Sequence, residues 1–149
     1  MKKFLSIVTI MLMCASGGVA QAVVHSTQAE FNSALTVSVS ALNETAEYSN
    51  PINSGDYSGV VAYRDNCSNQ SHILNCWLDN LNGKEAVECI MLADIVVMER
   101  AKTLNCYIDV VNAFRSNKTN IYKEYIKKMY TCSQQAEQAR QAFRNKYGY

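Results

Sequence analysis

Chain breakers are scarce: one proline and six glycines in 149 residues. A turn-rich all-β fold needs many positions with fixed or left-handed backbone, so this composition favours long helices. Histidine is scarcer still. His25 and His72 are the only two, and no Cys-x-x-Cys occurs, which argues against a zinc site. No glycine-rich phosphate loop, haem-attachment motif or calcium loop is present, and no cofactor is expected. Beyond the first residues no apolar run reaches the length of a membrane span. The strongest, Cys89 to Met98, is interrupted by Asp94 and ended by Glu99-Arg100, and it reads as core.

The beginning of the chain fixes the compartment in which the rest is read. Met1-Lys2-Lys3 is basic, Phe4 to Cys14 is apolar, and Ala20-Gln21-Ala22 places small residues at a peptidase site. Residues 1–22 are therefore predicted to be a secretory signal peptide, with one domain over residues 23–149. A lipid anchor on Cys14 would need a small residue before it, and Met13 stands there. The expected location is secreted and extracellular, or alternatively a bacterial periplasm, both oxidising toward thiols. Hydrophobic residues make up 48% and charged residues 18%, a globular rather than disordered balance.

Helical periodicity then divides the domain. Thr27 and Glu30 match a capping box, and Phe31, Leu35, Val39 and Leu42 follow at helical spacing. Residues 49–56, with Pro51 and Gly55, read as a loop. A second helix is expected over about residues 57–81, with Val60, Tyr63, Cys67, Leu74, Leu78 and Leu81 on one face. The polar stretch 66–71 is its weak point, and Asn82-Gly83 offers a left-handed stop. A third helix, about residues 85–115, carries one stripe from Ala86 to Val111 and another through Leu92, Ile95, Cys106, Val110 and Ala113, so neighbours should cover it on two sides. The last helix aligns Tyr122, Tyr125, Met129, Cys132, Ala136, Ala139 and Phe143. The fold predicted is all-α, an up-and-down bundle of about four helices stapled by two disulfides.

Five cysteines lie after the signal. In an antiparallel hairpin, residues equidistant from the turn share a level. Positions 76 and 89 centre on Asn82-Gly83, and 106 and 132 centre on the turn at residues 117–119. Level matching thus pairs Cys76 with Cys89 and Cys106 with Cys132, each bridge stabilising a hairpin by about 3 kcal/mol. Cys67 is left over, as a buried free thiol or as the bridge of a covalent homodimer.

Charge is split along the chain. After loss of Lys2 and Lys3, residues 118–149 hold seven bases and two acids, +5, and residues 23–117 hold five bases and eleven acids, −6. The two halves could answer each other within the bundle. Alternatively, Lys123, Lys127, Lys128, Arg140 and Arg144 form a docking face for an acidic protein partner. A helix of this charge in this compartment is not expected to bind nucleic acid. Asn43, Asn66, Asn69 and Asn117 begin Asn-x-Ser/Thr sequons, glycan acceptors in a eukaryotic secretory pathway. Ser68 and His72 share a helix face without an orienting acid, and Asp94 and Asp109 are about 22 Å apart along their helix, so no catalytic constellation forms.

Cys106-Tyr107, Tyr122, Tyr125, Cys132 and the run Ala136-Glu137-Gln138-Ala139-Arg140 resemble a stretch of insect secreted helical proteins carrying the TsetseEP domain. The likeness covers about a quarter of the chain and implies an animal secretory origin, without catalytic residues to transfer. The functional expectation is a secreted, non-enzymatic helical binding protein. The alternative is a bacterial periplasmic immunity or inhibitor protein acting against a toxin or lytic enzyme.

Overall fold

Thr27 starts the first helix as the capping box predicts: its Oγ1 accepts from the Glu30 backbone N–H at 3.1 Å. Helix α1 is Gln28–Glu44, and its buried line is Ala34, Ser38 and Ala41, with Leu42 beside it. Small side chains at this spacing let α1 lie close against its neighbour. In this computed structural model, which describes residues 23–149, four more helices follow: α2 Asn50–Ser54, α3 Tyr57–Leu78, α4 Lys84–Arg115 and α5 Thr119–Tyr147. Among the described residues 83% are helical and none is in a strand. The signal peptide expected over residues 1–22 lies outside them.

The segment read as a loop holds a single helical turn. Pro51 opens α2, where its missing N–H costs nothing, and Gly55 closes it at φ 72°. Asp56 then caps α3 by accepting from Gly59 N–H at 3.0 Å. The polar stretch 66–71 does not break α3. Val60 and Leu74 are buried on either side of it, and Cys67 is buried within it.

Helix α4 is the hub, packed against α5, α3 and α1. It runs parallel to α1, with Ser26 beside Ala86 and Leu42 beside Arg100, and antiparallel to α3 and α5. Of the first expected stripe, Ala86, Ile90, Ala93, Val97 and Leu104 are buried; of the second, Ala113 is buried and Leu92, Ile95, Cys106 and Val110 are half-buried. Phe143 of α5 is the largest fully buried side chain and stacks edgewise on Tyr149, which folds back after the left-handed Gly148.

Gly83 is not a helix stop. Its backbone is extended (φ −81°), it precedes α4, and it is buried against the chain entering α1. A Cβ there would lie 2.6 Å from Glu30 Oε2 and closer still to Ser26 Oγ and Cα. This contact lets one segment cap another helix. Ala86 N–H donates to Ser26 Oγ at 2.8 Å, and Asn82 and Gly83 N–H both donate to Glu30 Oε1 at 3.0 Å. Ser26 N–H in turn donates to Glu85 Oε2 at 2.8 Å. Glu30, expected to cap its own helix, thus stabilises the start of α4.

The disulfide expectation needs correction. The five cysteines among the described residues are free thiols, and no two of their sulfur atoms lie within 4.5 Å. Cys76 and Cys89 are indeed level, since Ser71 and Asp94, whose numbers share the same sum, meet at 2.6 Å. Level fixes position along the axes but not rotation about them. Cys76 is exposed beside His72, and Cys89 is buried beneath α1, 3.6 Å from Ser38 Oγ. Cys67 is fully buried, and burial pushes its thiol up to about 11, so a bridge between two copies would require opening the core. No helix among the described residues is long and apolar enough to cross a membrane.

Candidate functional site

The five basic residues of α5 do not form one face. Lys123, Lys127 and Arg144 sit at offsets 0, 4 and 21, opposite the buried Ala136, Ala139 and Phe143, and all three are exposed. Tyr130, at offset 7, is 63% exposed on the same line. None of the three cations has a carboxylate oxygen within 4.0 Å among the described residues. Lys128 and Arg140 lie on the flanks and are answered on their own helix. Lys128 pairs with Glu124 at 2.8 Å, and Arg140 forks onto Glu137 at 2.9 and 2.7 Å. Each acid is held below its ordinary range by its partner's hydrogen bond. The charge split is therefore not resolved by pairing α5 with the acidic helices. Among the described residues only Lys146 crosses, reaching Glu88 at 2.7 Å.

The far half of the α4–α5 hairpin is less covered than the near half. Phe114 is 73% exposed and Ile121 40%, whereas Phe143 at the other end is fully buried. Tyr122 and Tyr125, expected as core, are half-buried. Phe114 packs against Tyr122 with ring centroids 6.2 Å apart, closing the tip on itself. Cys106 and Cys132 face each other across this hairpin. Burial raises both thiols, and the neighbouring sulfur perturbs each.

A second feature was not legible as a site. Arg100 is only 4% exposed, yet no carboxylate lies within 4.0 Å of it among the described residues. Its Nη1 donates to Leu42 O at 2.8 Å and to Thr45 Oγ1 at 2.6 Å, and its guanidinium carbon stands 5.6 Å from the Tyr48 ring centroid. Neutral oxygens and a ring face solvate the charge in part, but burial still lowers its proton affinity. Arg100 lines a cleft of about 450 Å³ between the α1–α2 connector and α5. Tyr48, Ser49, Ser133, Glu137 and Arg140 share that lining, with Ala46 and Ala136 as apolar wall. The Tyr48 hydroxyl and Ser133 Oγ are hydrogen-bonded at 3.1 Å across it. The sequence signal was present: 86, 90, 93, 97, 100 and 104 keep helical spacing, which puts Arg100 on the buried stripe rather than at its end.

The sequons are not equivalent. Asn117 is exposed in the α4–α5 turn at φ 53°, the one non-glycine residue with positive φ among those described. Asn43 accepts from the Tyr149 hydroxyl, and Thr45 of the same sequon is fully buried, donating to Ala41 O at 2.8 Å. Asn66 donates to Glu44 O at 2.8 Å, and Asn69 is exposed in the middle of α3. Ser68 donates to Arg64 O rather than meeting His72, and Asp94 accepts from Ser71 and Asn75. With Asp94 tied to α3 in this way, it links two helices. No family model, curated protein or solved structure matches this chain.

Proposed function

We propose that the chain is an exported, non-enzymatic helical protein that works by binding an acidic protein partner through the solvent face of α5. The observation that carries this reading is the line Lys123, Lys127, Tyr130 and Arg144: three exposed cations without a counter-ion among the described residues, with an exposed aromatic ring one turn beyond Lys127. Unanswered charges on a rigid helix steer acidic partners and fix their orientation, and an exposed tyrosine adds contact area at small entropic cost. Export would place the facing Cys106 and Cys132 in an oxidising compartment, where closing their sulfurs, which stand more than 4.5 Å apart, into a bridge across the α4–α5 hairpin would stiffen the helix that carries the face. In a eukaryotic pathway the glycan sits on Asn117, at the hairpin tip.

The test is charge reversal at positions where the fold is indifferent. A partner recovered with the mature protein is titrated against wild type and the variant Lys123→Glu/Lys127→Glu/Arg144→Glu. The variant should keep its helical signal and melting temperature, lose at least about tenfold in affinity, and lose the salt dependence of association. Unchanged affinity and unchanged salt dependence would reduce the face to a solvated surface.

A further inference from the structure

We infer that the cleft between the α1–α2 connector and α5 binds a small free organic acid, its carboxylate lying between Arg100 and Arg140. Arg100 supplies the charged floor. Both hydrogen bonds it makes come from Nη1 and end on neutral oxygens, so the Nε and Nη2 donors meet no acceptor among the described residues. A guanidinium is a planar fork whose geometry matches a carboxylate in two parallel hydrogen bonds. A cation this deeply buried and without a counter-ion is costly, and a bound anion removes that cost.

The charge of the cleft selects the class of anion. Arg100 and Arg140 contribute +2 and Glu137 contributes −1, leaving +1. A monoanion neutralises the site. A phosphate dianion would leave it negative beside Glu137. Of the paired hydroxyls of Tyr48 and Ser133, one donates to the other and the second keeps its hydrogen for a ligand, and Ala46, Ala136 and the Tyr48 ring offer an apolar wall for the body of the acid. A volume of about 450 Å³ falls in the range of small-molecule sites, roughly 300–1,000 Å³. Lys123, Lys127 and Arg144 are not among the residues that line this cleft, so either proposal can fail alone.

Benzoate is the probe, titrated into the mature protein at constant ionic strength and followed by amide and arginine Nε–H resonances. Saturable binding is expected, with shifts centred on Tyr48, Arg100 and Ser133. Glu137→Gln removes the competing carboxylate at a surface position and should tighten benzoate by about fivefold, whereas Arg140→Gln should weaken it by a similar factor. Neither variant touches the buried charge, so neither should unfold the chain. Four results would each overturn the assignment: no saturable shifts with benzoate, inorganic phosphate binding as tightly as benzoate, a blocked glutamate-containing peptide binding more tightly than benzoate, or no tightening in Glu137→Gln.

Discussion

Replacing Gly83 by alanine inserts one methyl group where the chain entering α1 crosses the start of α4. The backbone there is ordinary, so conformational strain is not the issue. The added carbon would press on Ser26 Oγ and on the Ser26 Cα, which no rotamer change can move. Overpacking of this kind costs about 1–3 kcal/mol, and losing the Ser26 cap on Ala86 N–H adds about 1 kcal/mol. The stiffer unfolded chain returns about 0.4–1 kcal/mol, so the clash wins and about 2–3 kcal/mol is lost. For a domain of this size that lowers the melting temperature by about 7–12 °C. The discriminating assay is a double-mutant cycle read by thermal unfolding, with residues 23–26 deleted as the second change. In the shortened chain the methyl group meets no Ser26, so Gly83→Ala should be neutral or slightly stabilising. An equal loss in both backgrounds would refute the contact as the cause.

Three further outcomes are expected. Phe143→Ala should lose about 3–5 kcal/mol of stability by chemical denaturation, because the largest fully buried side chain leaves a cavity between α4 and α5. Glu85 is held down to about 2, first by the Ser26 backbone N–H and then by His25, and Glu30 is lowered by the Asn82 and Gly83 N–H groups. A depressed folded value means that the stabilisation is complete above the ordinary value of 4.5 and is lost as pH falls from there toward 2. The melting temperature should drop across that window, and Glu30→Gln/Glu85→Gln should flatten the drop. In the native reduced protein Cys76 should alkylate readily, while Cys67 and Cys89 react only on unfolding; labelling of Cys67 at the rate of Cys76 would contradict the burial.

What could be read from the sequence was whatever a local pattern encodes. Apolar spacing located the four long helices to within a few residues, and Thr27 announced the first of them. Contacts between distant segments were not legible. Glu30 and Gly83 carry the signatures of a capping box and a helix stop, yet their roles are set by each other, more than fifty residues apart. The turn at α2 was hidden because Pro51 and Gly55 are loop residues as well as the two ends of a short helix. The cysteine pairing failed at Cys89 because level was considered and rotation was not. Arg100 was passed over because a charge next to Glu99 reads as the end of an apolar run. Its burial depends on Leu42, Thr45 and Tyr48 arriving from α1 and the connector.

Export is the premise on which the proposed function rests, and the intact protein from its source can test it directly by mass spectrometry under non-reducing conditions. The account predicts a mature chain starting at Val23, a peptide linking Cys106 to Cys132, and reduced thiols at Cys67 and Cys89. A chain beginning at Met1 with all cysteines reduced would contradict it.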